Sequence, residues 1–153
     1  MSLTITRLGP EDAERAKANC ALFWNMSDAA ANLAAYLYDR NCILLVAEID
    51  GESAGQIVGH ILKRWDSKCP MLFLYSIDVT KPHRRKSVAR GLINEFLRIG
   101  KDSGCGSAFV FTNESNTSAM QMYKSLGGSR TNLDDVMFEW EMDCEQNTRG
   151  YRS

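Results

Sequence analysis

The sequence predicts a mixed α/β fold, a sheet with helices packed against it, and three observations carry that reading. Strand-like and helix-like runs follow one another in the order β-α-α-β-β-β-α-β-α-β. Residues 43–63 hold two apolar runs joined by Asp50-Gly51, the mark of a tight hairpin. Residues 71–103 hold an apolar strand, a proline-bearing turn and an amphipathic helix in direct succession.

Residues 3–8 alternate and predict the first strand. Gly9, Pro10, Glu11 and Asp12 start a helix that runs to about residue 25, with proline and acids in its first turn. Ser27 and Asp28 can cap a second helix, 29–40. Its Tyr36 and Tyr38 either pack or line a pocket. Strands 43–49 and 54–63 form the hairpin, and Gly55 and Gly59 mark a bulge or a close approach. A polar loop, 64–70, carries Trp65, which either packs over the sheet or faces a substrate. Strand 71–79 leads through Thr80, Lys81 and Pro82 to helix 87–103, which Gly104 ends. Then come strand 107–112, helix 117–126 ending at Gly127-Gly128, and a last alternating strand, 136–142. The composition predicts one domain, 1–144, and a polar tail, 145–153, with no repeat or linker.

The chain has 18 basic and 19 acidic residues, so no overall basic field invites nucleic acid. No apolar run is long enough to span a bilayer, and no leader pattern opens the chain. Five widely spaced cysteines without a CxxC predict reduced thiols and a cytoplasmic protein, not a disulfide framework or a zinc site. His60 and His83 are too far apart in sequence to suggest a pair of metal ligands, so no metal is expected.

The chemistry concentrates at 73–90. A helix start has unpaired N–H groups and the positive end of the dipole, which suits a phosphate. Arg84, Arg85 and Lys86 add formal charge just before Ser87, Val88, Ala89 and Arg90. The basic run is either such an anion cradle or a solvated turn. Neither a P-loop nor a dinucleotide fingerprint is present.

Here the residues themselves resemble a family. Arg84-x-x-Ser87-x-Ala89 is similar to the coenzyme A signature of the GCN5-related N-acetyltransferases (GNAT), Arg/Gln-x-x-Gly-x-Gly/Ala, with Ser87 where glycine is usual. Asn116-x-x-Ala119-x-x-x-Tyr123-x-x-x-Gly127 matches the helix motif of the same family, and the element order follows it along nearly the whole chain. The resemblance implies a twisted mixed sheet of six to seven strands flanked by about four helices, with a splay at the fourth strand. It implies acetyl coenzyme A as cosubstrate, held by Ile77, Val79, Arg84, Arg85, Lys86, Ser87, Val88, Ala89, Arg90, Asn116 and Tyr123. A left-handed Ser87 would cost roughly 1–2 kcal/mol.

The implied reaction is acetyl transfer to a primary amine through a tetrahedral intermediate. Tyr123 is the candidate acid for the departing thiolate. Asp78, inside an apolar strand, is the candidate base, with Glu114 and Glu139 as alternatives. Backbone N–H groups at 77–79 are the expected oxyanion donors.

Within the family, segments 6–10, 74–75, 83–85 and 136–137 most resemble GNAT-type aminoglycoside 3-N-acetyltransferases, though Ser76 stands where those enzymes carry Asp. The expected acceptor is a small-molecule amine, with aminoglycosides as one class. A peptide acceptor or a non-catalytic coenzyme A-binding module are the alternatives. A homodimer is the assembly that the resemblance suggests.

Overall fold

The structure, a computed structural model, describes residues 1–25, 30–85 and 87–143, with backbone alone at 30 and 31. The expected cap at Ser27 and Asp28, the cofactor residue Lys86, Cys144 and the tail 145–153 lie outside the described residues. The chain divides into two compact units, one running from Met1 to Phe111 and the other beginning at Thr112.

The first unit is built on one sheet of five strands in sequential order: β1 (Leu3–Arg7), β2 (Cys42–Ile49), β3 (Glu52–Leu62), β4 (Met71–Val79) and β5 (Ser107–Val110). β1 to β4 pair antiparallel, and β4 pairs parallel with β5. Asp50 (φ 51°) and Gly51 (φ 86°) both take positive φ at the β2–β3 turn, as the hairpin signal requires. β2 is covered on both faces, which is why Ile43 through Ala47 form an unbroken apolar and buried run rather than an alternating one.

A 3-10 turn, Pro10–Asp12, leads into α1 (Ala13–Cys20), and α2 (Ala30–Tyr38) follows. They pack on one face of the sheet, where Leu8, Ala16, Cys20, Leu37, Leu44 and Val46 form one buried cluster. α3 (Val88–Asp102) turns Val88, Leu92, Ile93, Phe96 and Ile99 inward. Phe96 lies so close over Gly59 that a Cβ there would clash with the ring. Only glycine lets this ring reach the sheet, and a bulge between Val58 and Gly59 accompanies it.

The second unit contains α4 (Thr117–Ser125), closed by Gly127 at φ 90° and by a bond from Gly128 N–H to Tyr123 C=O. The expectation of six to seven strands is corrected here: among the described residues the sheet has five strands, with four α-helices. Residues 136–142, expected as a strand, join no ladder. Alternation favours an extended backbone, but a strand exists only when its N–H and C=O groups find a partner. Val136, Phe138, Trp140 and Met142, the apolar half of the pattern, are all at least 75% exposed, so burial does not hold them either.

Candidate active site

β4 positions the first part of the site. Its ladder with β5 covers only Met71 to Leu74, so from Tyr75 to Val79 β4 has no β5 partner. On its other side the pairing with β3 continues to Val79. A strand that stays anchored on one edge while losing its neighbour on the other offers backbone groups to an extended ligand. Ile77 and Val79 both belong to this stretch.

The turn after β4 is held from within. Thr80 N–H donates to Ala54 C=O at 2.9 Å, and the Thr80 hydroxyl lies 2.8 Å from His83 Nδ1. His83 is buried, so this histidine is a support of the turn rather than part of an exposed basic cluster. Arg84 and Arg85 are exposed, and Arg84 Nε reaches back 3.4 Å to Val79 C=O.

The backbone then becomes left-handed at Arg85 (φ 62°) and at Ser87 (φ 61°, ψ 11°). Ser87 is the N-cap of α3, but its side chain makes no cap bond. Left-handed residues beside a helix start turn successive N–H groups toward one point, the geometry that receives an anion. The first N–H groups of α3, at Val88 and Ala89, have no carbonyl within the helix to bond. The residues present therefore fit a pyrophosphate, with Ser87 left-handed at the helix start.

Asp78 stands on the opposite side of β4 from α3. It is the register partner of Gln56, and its charge helps burial push the Cys20 thiol up to about 11. Ser76 lies on the same face, opposite Val58, and its Oγ is shielded without a hydrogen-bond partner among the described residues. Asn19 Nδ2 donates to Gln56 Oε1 at 2.9 Å, so a buried polar pair from α1 and β3 borders Asp78. The sequence did not single out Asn19 or Gln56, because an amide on an amphipathic element signals nothing until its partner is known.

In the second unit, Asn116 is the N-cap of α4, and its Oδ1 accepts from Ala119 N–H at 3.2 Å. Tyr123 is half-buried, and burial raises its phenol above the ordinary tyrosine range. Glu114 is exposed and pairs with Arg130 at 2.8 Å; Glu139 is exposed. Trp65 is 98% exposed and packs on nothing. An open cleft of about 1090 Å³ lies elsewhere, lined by Arg7, Tyr38, Asp39, Arg40, Cys42 and Ser103 among others; of the expected catalytic and cofactor residues it contains none, though Tyr38 borders it as one of its two readings had it. Cys20, Cys42, Cys69 and Cys105 are free thiols.

Comparison with known proteins gives the family and the fold. The profile of the family described as "Acetyltransferase (GNAT) family" matches residues 12–127. N-acetyltransferase 8 of Rattus norvegicus is 28% identical over 105 residues, 69% of this chain and 47% of the relative. The chain thus spans about half the length of the curated relatives it matches. Among solved structures, an aminoglycoside acetyltransferase, meta-AAC0020, from an uncultured soil metagenomic sample in complex with sisomicin, superimposes with a TM-score of 0.83 at 19% identity, covering 92% of this chain and 97% of the other. AAC(6')-Iy in complex with the bisubstrate analog CoA-S-monomethyl-acetylneamine gives a TM-score of 0.76 at 24% identity, covering 94% and 100%. These two likenesses carry the fold. Among the described residues no helix is long and apolar enough to cross a membrane.

Proposed function

The chain belongs to the acetyltransferase (GNAT) family, and from that premise we propose that it transfers the acetyl group of acetyl coenzyme A to a primary amine of a small molecule. The observation that carries the proposal is the β4–α3 junction: a strand freed from β5 at Tyr75, followed by left-handed Arg85 and Ser87 at a helix start without a side-chain cap. The freed edge of β4 at Ile77 and Val79 suits the amide-bearing arm of coenzyme A. The backbone at Ser87, Val88, Ala89 and Arg90 suits its diphosphate, with Arg84, Arg85 and Lys86 supplying positive charge.

The amine nitrogen attacks the thioester carbon, and the C–N bond forms as the carbonyl oxygen takes up negative charge. Backbone N–H groups at 77–79 stabilise that oxygen. The C–S bond then breaks and the thiolate leaves. The nitrogen must give up a proton, and Asp78 is assigned to accept it, with Glu114 as the alternative. The thiolate must gain one, and Tyr123 is assigned to supply it, since its burial keeps the phenol protonated. Asn116 keeps its assignment to the cofactor through the helix motif it shares with Tyr123.

Both units are assigned to one acetyltransferase domain, 1–144, because the family match at 12–127 runs across their boundary. Four free thiols suit a reducing compartment, and cytoplasmic residence is part of the proposal. The test is thiol release from acetyl coenzyme A over a panel of amines that includes aminoglycosides. Amine-dependent release with equimolar N-acetylated product is expected. Binding of coenzyme A with no amine-dependent release over the whole panel would sink the proposal.

A further inference from the structure

Aromatic rings form a row on the face of the sheet that α1 and α2 cover. Tyr36 of α2 stands edge-on to His60 of β3 at 5.5 Å between centroids. His60 lies 6.4 Å from Phe73 of β4, and Phe73 stacks on Phe109 of β5 at 4.8 Å with 13° between the planes. Phe111 follows edge-on at 5.9 Å from Phe109. Tyr75 stands edge-on to both His60 and Phe73, at 6.2 and 6.1 Å. One end of the row is fixed: the Tyr36 hydroxyl lies 3.0 Å from Ile43 C=O and 2.7 Å from Gly59 C=O and donates to either. The other end is open, with Tyr75 44% and Phe111 59% exposed.

The row continues into the proposed reaction site. The bulge between Val58 and Gly59 leaves Tyr75 as the extra residue, so Phe73 faces His60 while Ser76 faces Val58 and Asp78 faces Gln56. Phe73, Ser76 and Asp78 therefore lie on one face of β4, and Tyr75 stands between them where the strand loses β5. Ser76 and Asp78 lie about 3 and 10 Å beyond Tyr75 along the strand. An amine on a tether of two to four atoms from a ring placed over Tyr75 reaches roughly 4–6 Å, past Ser76 and toward Asp78. The shielded Ser76 Oγ, without a partner among the described residues, can take a hydrogen bond from that amine.

We infer that the acceptor is a primary amine joined through a short tether to an aromatic ring, which lies on the Phe73, Tyr75, Phe109 and Phe111 side chains. The exposed Tyr75 and Phe111 offer edge-to-face and offset-stacked positions to such a ring, with half-buried Phe73 and Phe109 beside them. The Asp39 charge reaches His60 and Cys42 at the far end of the row. A polycationic sugar would have to lay several hydrated charges on apolar rings, an arrangement that desolvation disfavours. This inference rests on the acetyltransferase reading of the same site.

The test uses the full chain, saturating acetyl coenzyme A and three probes: 2-phenylethylamine, n-hexylamine and kanamycin. The expected kcat/KM for 2-phenylethylamine is at least tenfold above the other two. Tyr75→Ala and Phe111→Ala, both at exposed positions, should each raise its KM about tenfold and change kcat less than twofold. Preference for kanamycin or n-hexylamine overturns the inference and leaves the acetyltransferase reading standing. So does an unmoved KM in both variants, or a changed mass in sedimentation for Phe111→Ala without a change in KM, which would make the row a contact between copies. Coenzyme A binding with no turnover of any amine over the wider panel removes the acetyltransferase reading first, and this inference with it.

Discussion

Two helices that each follow a strand begin in opposite ways. α4 starts at Asn116, in an ordinary negative-φ conformation, and the asparagine side chain closes the helix by bonding Ala119 N–H. α3 starts at Ser87, in a left-handed conformation, and the serine side chain closes nothing. Their bodies differ too. α3 buries Val88, Leu92, Ile93, Phe96 and Ile99 against the sheet, whereas α4 has no fully buried residue. A helix whose body is anchored by apolar packing can leave its first turn open without fraying, and an open first turn is a place for an anion. A shallow helix needs its cap for its own stability. The contrast sets a start left open by its own side chain, as the proposed cofactor site requires, against a start closed by its cap.

The largest test of this contrast is on the anchor. Phe96→Ala removes a ring that is 1% exposed and sits against Gly59, so it leaves a cavity that β3 cannot close. A loss of about 3–5 kcal/mol is expected. Urea unfolding should show a lower midpoint with an unchanged slope. A loss below about 1 kcal/mol would mean that α3 is not held by this face.

The next effect is on chemistry. Tyr123→Phe keeps the ring and removes the proton, so turnover should fall about a hundredfold with little change in affinity for acetyl coenzyme A. Burial raises this phenol, so any loss of turnover from its ionisation belongs above the ordinary tyrosine value near 10. Unchanged turnover in Tyr123→Phe would leave α4 with a structural role only. Steady-state kinetics with acetyl coenzyme A as the varied substrate, read across pH, distinguishes these outcomes.

Much of this was legible before the structure, and the reasons are physical. The hairpin at Asp50-Gly51 needed two positive-φ residues, which leave a strong local mark. The α3 face was legible because its apolar residues repeat at helical spacing over fifteen positions. The Ser87 departure was legible as a question, left-handed or helical, and the structure answers that it is left-handed. The sixth strand was misread because residues 136–142 carry the alternation of a strand but no partner. Pairing is a property of two segments, and a one-segment pattern cannot supply it. Of the two readings of Trp65, packing over the sheet is the one that fails: the indole is in solvent, in a loop whose charged pair, Arg64 and Asp66, is local. The Asn19–Gln56 pair and the ring row were invisible for a related reason. Each joins elements far apart in sequence, and only the sheet register brings them together.

The cap of α4 offers a smaller test. Asn116→Ala removes the bond to Ala119 N–H and should cost about 1 kcal/mol. If Asn116 also touches the cofactor, affinity for acetyl coenzyme A falls together with stability, and Asn116→Asp, which restores the cap, rescues stability but not affinity. If stability alone moves, and Asn116→Asp restores it fully, α4 is capped for its own sake. Thermal unfolding and calorimetric titration of the two variants separate these outcomes.

The smallest effect is the most informative about the open start. Ser87 pays roughly 1–2 kcal/mol for its left-handed conformation, and glycine would not. Glycine also gains freedom in the unfolded chain, worth about 0.4–1 kcal/mol in the opposite direction. The net expectation for Ser87→Gly is a gain of about 0.5–1 kcal/mol, with coenzyme A affinity held or tightened because the N–H groups keep their direction. Ser87→Val keeps the strain, adds a branched side chain at a left-handed position and should weaken both. If Ser87→Gly instead lowers stability, the serine hydroxyl makes a contact that offsets its strain. The α3 start would then be closed by a side chain after all, and the contrast with α4 would lose its meaning.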